Sequence, residues 1–414
     1  MTDKNQHLVL TTKLHLPHQP FNFSRDLKVS SSPKQRAQFP HFDPLYLKPI
    51  LFEEALLFAQ QWVESFSRRG QSVDALIGIE GRGLVLASAL AHKCQLPLIL
   101  ARRSKKLPHL TLKTDTLLGE MEIHADSFQE NGNYLVVDGT PNVEHHLQGV
   151  FNLIEKTRSN CLGVLCFQRD PDFQSGDIPM LELFKLTQSR GLEVELLLDK
   201  SVMTKMSELN KSEAEGDIES EKRLNKSAPS QSHFLISLES WLKTIKETIR
   251  TVPNFPHAPI MFRDITPLIM RPDVYEMIIE ILVDHYRGRG ITCIMGIESR
   301  GFLFAVPLAL RLGLPFVPIS KKGKSLSPTV QRSYTIEYGQ DEVELTEGSV
   351  GEYDKVVIVD DLLATGGTAQ CAASLVRQMG AQVYEITCIV ELTELKGREQ
   401  LSDPLFTLIE FTGH

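Results

Sequence analysis

Asp360 and Asp361 stand at the end of four apolar β-formers, Val356 to Val359, and a run of small residues, Ala364-Thr365-Gly366-Gly367-Thr368, follows shortly after. The apolar run predicts a buried strand. The residues from Ala369 toward Gly380 have the apolar spacing of a helix. A strand, an acidic pair, a Gly/Thr loop and a helix amino-terminus together suit a sugar phosphate. Backbone N–H groups and hydroxyls of the loop can wrap a phosphate whose charge the helix dipole favours. The two carboxylates would accept hydrogen bonds from vicinal ribose hydroxyls. The segment lacks the Lys-Ser/Thr ending of a Walker A loop and the spacing of a dinucleotide fingerprint.

The elements that must position these residues are legible as an internal repeat. Ala75-Leu-Ile-Gly-Ile-Glu80-Gly-Arg82-Gly83 parallels Cys293-Ile-Met-Gly-Ile-Glu298-Ser-Arg300-Gly301. Glu80 and Glu298 lie 218 residues apart, as do Pro97 and Pro315, while Asp138 and Asp360 lie 222 apart. The tails correspond as well, Ile178-Pro179 onward with Asp403-Pro404 onward. Near-constant offsets in one order predict two copies of one domain. In each copy β-rich apolar runs alternate with helical patterns, which predicts an α/β domain with a largely parallel sheet flanked by helices. Sites in such sheets lie beyond the carboxyl ends of the strands, where Asp360 and Asp361 fall. The expected organisation is an extension over 1–41, a first copy over 42–200, a flexible Ser/Glu/Lys-rich linker over 201–232 and a second copy over 233–414.

Composition narrows the class. The chain has 414 residues, 42% hydrophobic and 23% charged, with a formal net charge of −8. That leaves room for two or three domains and gives no basic surface for nucleic acid. The six cysteines form no CxxC pair and no zinc spacing, so buried free thiols in a reducing compartment, the cytoplasm, are expected. No run is long or apolar enough to span a membrane, and no secretory leader opens the chain.

The second-copy motif resembles the phosphoribosyl pyrophosphate-binding motif of type I phosphoribosyltransferases. Three more segments fit a transferase site. Gly296-Ile-Glu-Ser299-Arg300-Gly301 is a turn after an apolar strand, whose amides and guanidinium suit a pyrophosphate leaving group. Lys321-Lys322-Gly323-Lys324 opens a stretch reaching Asp341, read as a lid that neutralises pyrophosphate and keeps water from an oxocarbenium-like centre. Glu337, in Tyr334-Thr-Ile-Glu337-Tyr338-Gly339, is a candidate to exchange a proton with a ring nitrogen of the incoming base.

Asn254-Phe-Pro256, Met261-Phe262-Arg263-Asp264-Ile-Thr-Pro267, IESRGF, KKGK, SYTIEYG, VVIVDDLLATGGTA and VELTELKGRE together resemble adenine phosphoribosyltransferases, from about Ser237 to the carboxyl end. The resemblance implies two tandem phosphoribosyltransferase-like domains, each with a small hood, and the conversion of adenine and phosphoribosyl pyrophosphate into AMP and pyrophosphate. It implies Mg²⁺ carried mainly by the pyrophosphate, with few direct protein ligands. By position, Ala364, Thr365, Gly366, Gly367 and Thr368 would hold the 5′-phosphate and Asp360 and Asp361 the ribose. Arg300 and Lys324, with Ser299 and Lys321, would address pyrophosphate. Phe262 would stack on adenine while backbone groups of Met261 to Arg263 read its edge, and Glu337 would be the acid/base. The first copy resembles the family only distantly. It reads Asp138-Gly139-Thr140-Pro141-Asn142-Val143-Glu144 where the phosphate loop should be, and Leu117 falls near the place of Glu337. It is expected to be catalytically silent, to keep Arg82, Arg102, Arg103, Lys105 and Lys106, and to pack on the second copy as an intramolecular pseudo-dimer; further homo-association stays open. A nucleotide-sensing regulator on the same fold, or a transferase for another purine base, stays open too.

Overall fold

The structure, a computed structural model, describes residues 46–103, 106–108, 110–116, 119–139, 146–166, 193–196, 231–323, 328–336 and 339–412. The first half carries α1 (Pro49–Arg68), β1 (Ala75–Ile79), α2 (Arg82–Cys94), β2 (Leu98–Arg103), β3 (Thr111–Thr116), β4 (Gly119–His124), β5 (Asn133–Asp138), α3 (His146–Lys156), β6 (Asn160–Cys166) and β7 (Glu193–Leu196). The second carries α4 (Gln231–Thr248), β8 (Arg250–Pro253), β9 (Met261–Asp264), α5 (Thr266–Met270), α6 (Pro272–Tyr286), β10 (Cys293–Ile297), α7 (Gly301–Leu312) and β11 (Phe316–Lys321). It continues with β12 (Thr329–Ile336), β13 (Gly339–Thr346), β14 (Lys355–Leu363), α8 (Gly367–Gln378), β15 (Gln382–Leu392) and β16 (Leu405–Phe411).

Two seven-stranded sheets have one strand order. The first runs β3-β4-β2-β1-β5-β6-β7 and the second β12-β13-β11-β10-β14-β15-β16. The register repeats too. Leu76 pairs with Leu98 and Ile294 with Phe316, while Ala75 pairs with Tyr134 and Cys293 with Val356. These are the 218- and 222-residue offsets met in the sequence. Five strands in each sheet are parallel, and a hairpin adds antiparallel to β2 or β11. Parallel strands are covered on both faces, which is why β1 (ALIGI) and the start of β14 (VVIV) are apolar without alternation.

The helices explain how the halves meet. An amphipathic surface helix has one apolar stripe, but α2 is buried from Gly83 through His92 and α7 from Gly301 through Ala309. A helix apolar on all sides must be covered on all sides. Each of these covers its own sheet with one face and meets the other half with the opposite face. Leu84, Leu90, Tyr275, Phe304, Leu308 and Val359 accordingly lie in one continuous apolar cluster spanning both halves. At about 1.5–3 kcal/mol for each fully buried large apolar side chain, this contact contributes strongly to holding the halves together. α3 covers the outer face of the first sheet and α8 that of the second, each over a separate cluster. Polar contacts close the seam: His92 Nε2 lies 2.8 Å from Glu276 Oε2, and Arg250 Nη1 donates to Asp126 Oδ2 at 2.8 Å.

Cys94, Cys161, Cys293, Cys371 and Cys388 are thiols that take part in no disulfide. Among the described residues no helix is long and apolar enough to cross a membrane.

Candidate active site

The site is built on β14. Val356 to Val359 are fully buried between β10 and β15. The strand does not stop before the acidic pair, because β15 continues to pair with it; Asp360 lies opposite Cys388 and Leu363 opposite Glu391. Asp361 is buried, and its N–H donates to Asp360 Oδ1 at 2.9 Å. Desolvation, followed by the adjacent charge of Asp361, pushes the Asp360 carboxyl well above the usual carboxylate range, against the opposing pull of the Asp361 N–H and Arg300. Arg300 Nε lies 3.0 Å from Asp361 Oδ2.

Arg300 reaches Asp361 because Gly301 permits it. A Cβ on Gly301 would lie 2.5 Å from the Val359 carbonyl and 3.3 Å from Asp360 Oδ1, so only glycine lets the turn lie against β14. The turn is anchored from β11 as well. Glu298 N–H donates to the Ile319 carbonyl at 2.8 Å, and Glu298 Oε2 accepts from the Lys321 N–H at 2.9 Å. Ser299 and Lys321 therefore lie at the rim of the same turn.

The loop Ala364, Thr365, Gly366, Gly367 and Thr368 turns at Gly366, whose φ is +85°, and α8 begins at Gly367. Gly367 and Thr368 are thus in the first helical turn, where N–H groups lack intrahelical partners and can serve an anion. The loop leans on the turn after β15. A Cβ on Gly366 would come 2.5 Å from the Gly397 carbonyl. That turn is fixed in its place by Arg398, whose Nε donates to Glu391 Oε1 at 3.1 Å, and by Thr407 Oγ1, which donates to Glu391 Oε2 at 3.0 Å. Bracing by Gly397, Arg398 and Glu391 was missed in the sequence, although VELTELKGRE was visible as a motif.

Phe262 sits on the β8–β9 hairpin, with Val252 opposite it. Its ring meets Phe255 edge-on at 5.1 Å between centroids, and the Arg300 guanidinium lies 5.9 Å from its centre. Arg263 turns elsewhere: its guanidinium lies 4.2 Å above Phe411 and bonds to Thr251 Oγ1. The Arg263 side chain is therefore turned away from Phe262, which leaves its backbone groups beside that ring. Lys324 and Glu337 lie outside the described residues.

The first half differs where the acids stand. Asp138 Oδ1 accepts from the Gly139 N–H at 2.7 Å, as Asp360 does from Asp361. The position of Asp361 is taken by Gly139, and a Cβ there would lie 2.5 Å from Arg82 Cβ. Arg82 occupies the space a second acid would need.

A family profile described as "Phosphoribosyl transferase domain" matches residues 270–411. Adenine phosphoribosyltransferase of Proteus mirabilis is 48% identical over 176 residues, 42% of this chain and 96% of that protein. The Photorhabdus laumondii enzyme of the same name is 46% identical over 176 residues, with the same coverage. A solved adenine phosphoribosyltransferase from Thermoanaerobacter pseudethanolicus is 44% identical, covering 41% of this chain and 99% of that one with a TM-score of 0.40. With nearly half the residues identical over almost the full length of such relatives, the chain belongs to the adenine phosphoribosyltransferase family.

Proposed function

We propose that the second half transfers the 5-phosphoribosyl group of phosphoribosyl pyrophosphate to adenine in purine salvage, giving AMP and pyrophosphate. One observation carries the reading. A single guanidinium, Arg300, lies 3.0 Å from the acid pair's Asp361 and 5.9 Å from the centre of the Phe262 ring. Groups suited to ribose, to a leaving anion and to a planar base thus converge at one point, beside a loop suited to phosphate.

The chemistry follows from that arrangement. The bond from the anomeric carbon to the pyrophosphate oxygen breaks, and its electron pair leaves with pyrophosphate. A ring nitrogen of adenine supplies the pair for the new bond and loses its proton, for which Glu337 is the acceptor carried over by position. Asp360 and Asp361 orient the ribose hydroxyls, and the 364–368 loop holds the 5′-phosphate. Arg300 stabilises charge on the leaving group; it exchanges Asp361 for the ligand in part, which costs little because both partners are anionic. Phe262 supplies a stacking face, and backbone groups of residues 261–263 pair with the edge of the base. Such pairing discriminates strongly against a 6-oxo purine, which leaves buried polar groups unpaired. Among the described residues no group of three His, Cys, Asp or Glu side chains is placed to hold a metal ion. The acid pair and a substrate oxyanion together suit Mg²⁺, which would arrive on pyrophosphate and neutralise its charge.

For the first half we propose a silent copy, on the exclusion of a second acid at Gly139. It docks on the second as a pseudo-dimer within one chain, on the apolar cluster that both halves share. We propose domain limits of 42–200 and 233–414, within which the strands of the two sheets lie; the linker expected over 201–232 falls outside the described residues except for Gln231 and Ser232, which open α4. Five thiols outside any disulfide, three of them buried, suit a reducing compartment, for which we propose the cytoplasm.

The test is product formation from phosphoribosyl pyrophosphate and Mg²⁺ with adenine, guanine, hypoxanthine and xanthine in parallel. AMP from adenine, with little product from the other bases, is expected. Equal use of hypoxanthine would move the assignment to another base, and no product with any base, despite sugar-phosphate binding, would favour a sensor.

A further inference from the structure

The reaction uses the backbone of Arg263 and gives its side chain no task. Among the described residues, β8 and β9 form a two-stranded sheet separate from the two large ones. A hairpin of two strands is marginal by itself in water, so side-chain anchors decide where this one sits. Two anchors lie at its open end. Arg250 Nη1 donates to Asp126 Oδ2 at 2.8 Å, and Asp264 Oδ1 accepts from the Thr266 N–H at 3.0 Å.

The third anchor lies behind the base site. Side chains alternate along a strand, so Phe262 and Arg263 project from opposite faces of β9. Phe262 faces Arg300, whereas Arg263 packs on Phe411, its guanidinium 4.2 Å above the ring. Arg263 also bonds to Thr251 Oγ1 on β8, the residue opposite it in the hairpin. The surface on which it rests is held in turn. Phe411 ends β16 and pairs with Leu392 of β15, and its carbonyl accepts from Thr393 Oγ1 at 3.2 Å. Lys246 on α4 donates from Nζ to the Glu410 carbonyl at 2.9 Å and stands 5.1 Å from the centre of the Phe411 ring. Burial draws the Arg263 guanidinium below its ordinary pKa, and a partly desolvated cation gains more from an aromatic face than an exposed one.

We propose that Arg263 and Phe411 are positioning residues for the base, their cation–π contact pinning the hairpin to the last strand and so fixing where Phe262 stands. β16 then supports both ends of the product. Thr407 bonds to Glu391, which braces the 5′-phosphate loop through Arg398, and Phe411 holds the stacking face for adenine through Arg263. Release of the contact moves Phe262 and leaves Arg300 and the acid pair in place, so the base is affected and the sugar phosphate is not. The inference rests on the transferase reading for its ligand, a purine nucleotide.

Full-length wild type is compared with Phe411→Leu, which keeps an apolar side chain without the ring, and with Phe411→Trp, which keeps an aromatic face. Arg263→Met and the double variant Arg263→Met/Phe411→Leu complete a cycle, with folding checked by circular dichroism. Binding of AMP and of ribose 5-phosphate is measured by calorimetry, and the ratio of the two isolates the base. Initial rates give KM for adenine and for phosphoribosyl pyrophosphate. Phe411→Leu is expected to weaken AMP binding and raise KM for adenine by about 3- to 30-fold, the worth of one cation–π contact. Ribose 5-phosphate binding and KM for phosphoribosyl pyrophosphate should stay within about twofold of wild type, and Phe411→Trp should bind AMP as wild type does. Arg263→Met should match Phe411→Leu, and the double variant should lose no more than either single one. A folded Phe411→Leu that binds AMP like wild type overturns the proposal. So do losses that add in the double variant, or a loss of ribose 5-phosphate binding as large as that of AMP. Wild type that binds AMP in the expected pattern yet makes none from adenine would instead overturn the transferase reading and leave the anchor standing.

Discussion

Replacing Gly301 by alanine separates activity from stability in this fold. The added Cβ would sit 2.5 Å from the Val359 carbonyl, against 3.4 Å for ordinary contact. Relief requires the turn and β14 to part by about 0.9 Å, and Arg300, one residue away, must follow. Its 3.0 Å contact with Asp361 then opens toward 4 Å. A misplacement of about 1 Å in a positioning group costs about 100-fold in rate. Stability responds less. Overpacking costs about 1–3 kcal/mol, and alanine in place of glycine in a helix returns about 1 kcal/mol. The net loss of about 0–2 kcal/mol lowers Tm by no more than a few degrees. Initial rates of AMP formation at varied phosphoribosyl pyrophosphate, with Tm measured on the same sample, give both quantities. The expected result is a fall in kcat/KM of about 100-fold with a folded protein. Gly83→Ala, at the matching place in the first half, meets Val137 O at 3.1 Å and should leave kcat/KM within about threefold of wild type. If Gly301→Ala also stays within about threefold, close approach of the turn to the acid pair does not position Arg300 for the reaction.

Three further outcomes follow from the same contacts. Phe262→Ala should raise KM for adenine by about 10- to 100-fold, the worth of one base–aromatic stack, while KM for phosphoribosyl pyrophosphate holds; equal rises in both would refute a base-stacking role. Asp360 has a raised carboxyl pKa in the folded protein, so above pH 3.8 the native state holds a proton that the unfolded chain has released, and stability falls as pH rises toward the folded value. Asp360→Asn removes that cost, so its stability relative to wild type should grow from pH 4 to pH 8 in denaturant titrations; a constant difference would argue against the raised pKa. Burial would raise Glu276, but the contact and charge of His92, and then Arg311, hold it at about 2, below its ordinary 4.5. Its stabilisation is present above pH 4.5 and fades as pH falls toward 2, so Glu276→Gln should be less stable at pH 7 by about 1 kcal/mol and should converge with wild type near pH 2. Curves that stay parallel across that range would remove Glu276 from the seam's energetics.

Much of this architecture could be read from residue order. The repeat offsets reappear as strand register because parallel strands covered on both faces need unbroken apolar runs, and those runs are easy to align by eye. The acidic pair and the Arg300 turn lie together, with Arg300 Nε 3.0 Å from Asp361 Oδ2, and the Gly/Thr loop follows β14. Boundaries shifted where tertiary pairing decides them. β14 runs on through Asp361 to Leu363 because β15 pairs along it, and α8 starts at Gly367 because Gly366 takes the left-handed turn. Two contacts had no local signal. Arg102 and Ser299 are 197 residues apart, and a basic run says nothing about which half it faces. Gly397 braces Gly366 through a carbonyl approach that depends on backbone path and not on residue pattern.

The most direct test of one working site per chain, in the second half, compares Asp360→Asn/Asp361→Asn with Asp138→Asn in the full-length protein. AMP formation from adenine is measured under saturating phosphoribosyl pyrophosphate and Mg²⁺, with folding confirmed by circular dichroism. The account predicts that the paired substitution lowers activity by about 100-fold or more, while Asp138→Asn keeps a rate close to wild type. Activity that survives the paired substitution and disappears with Asp138→Asn would place the chemistry in the first half and contradict the account.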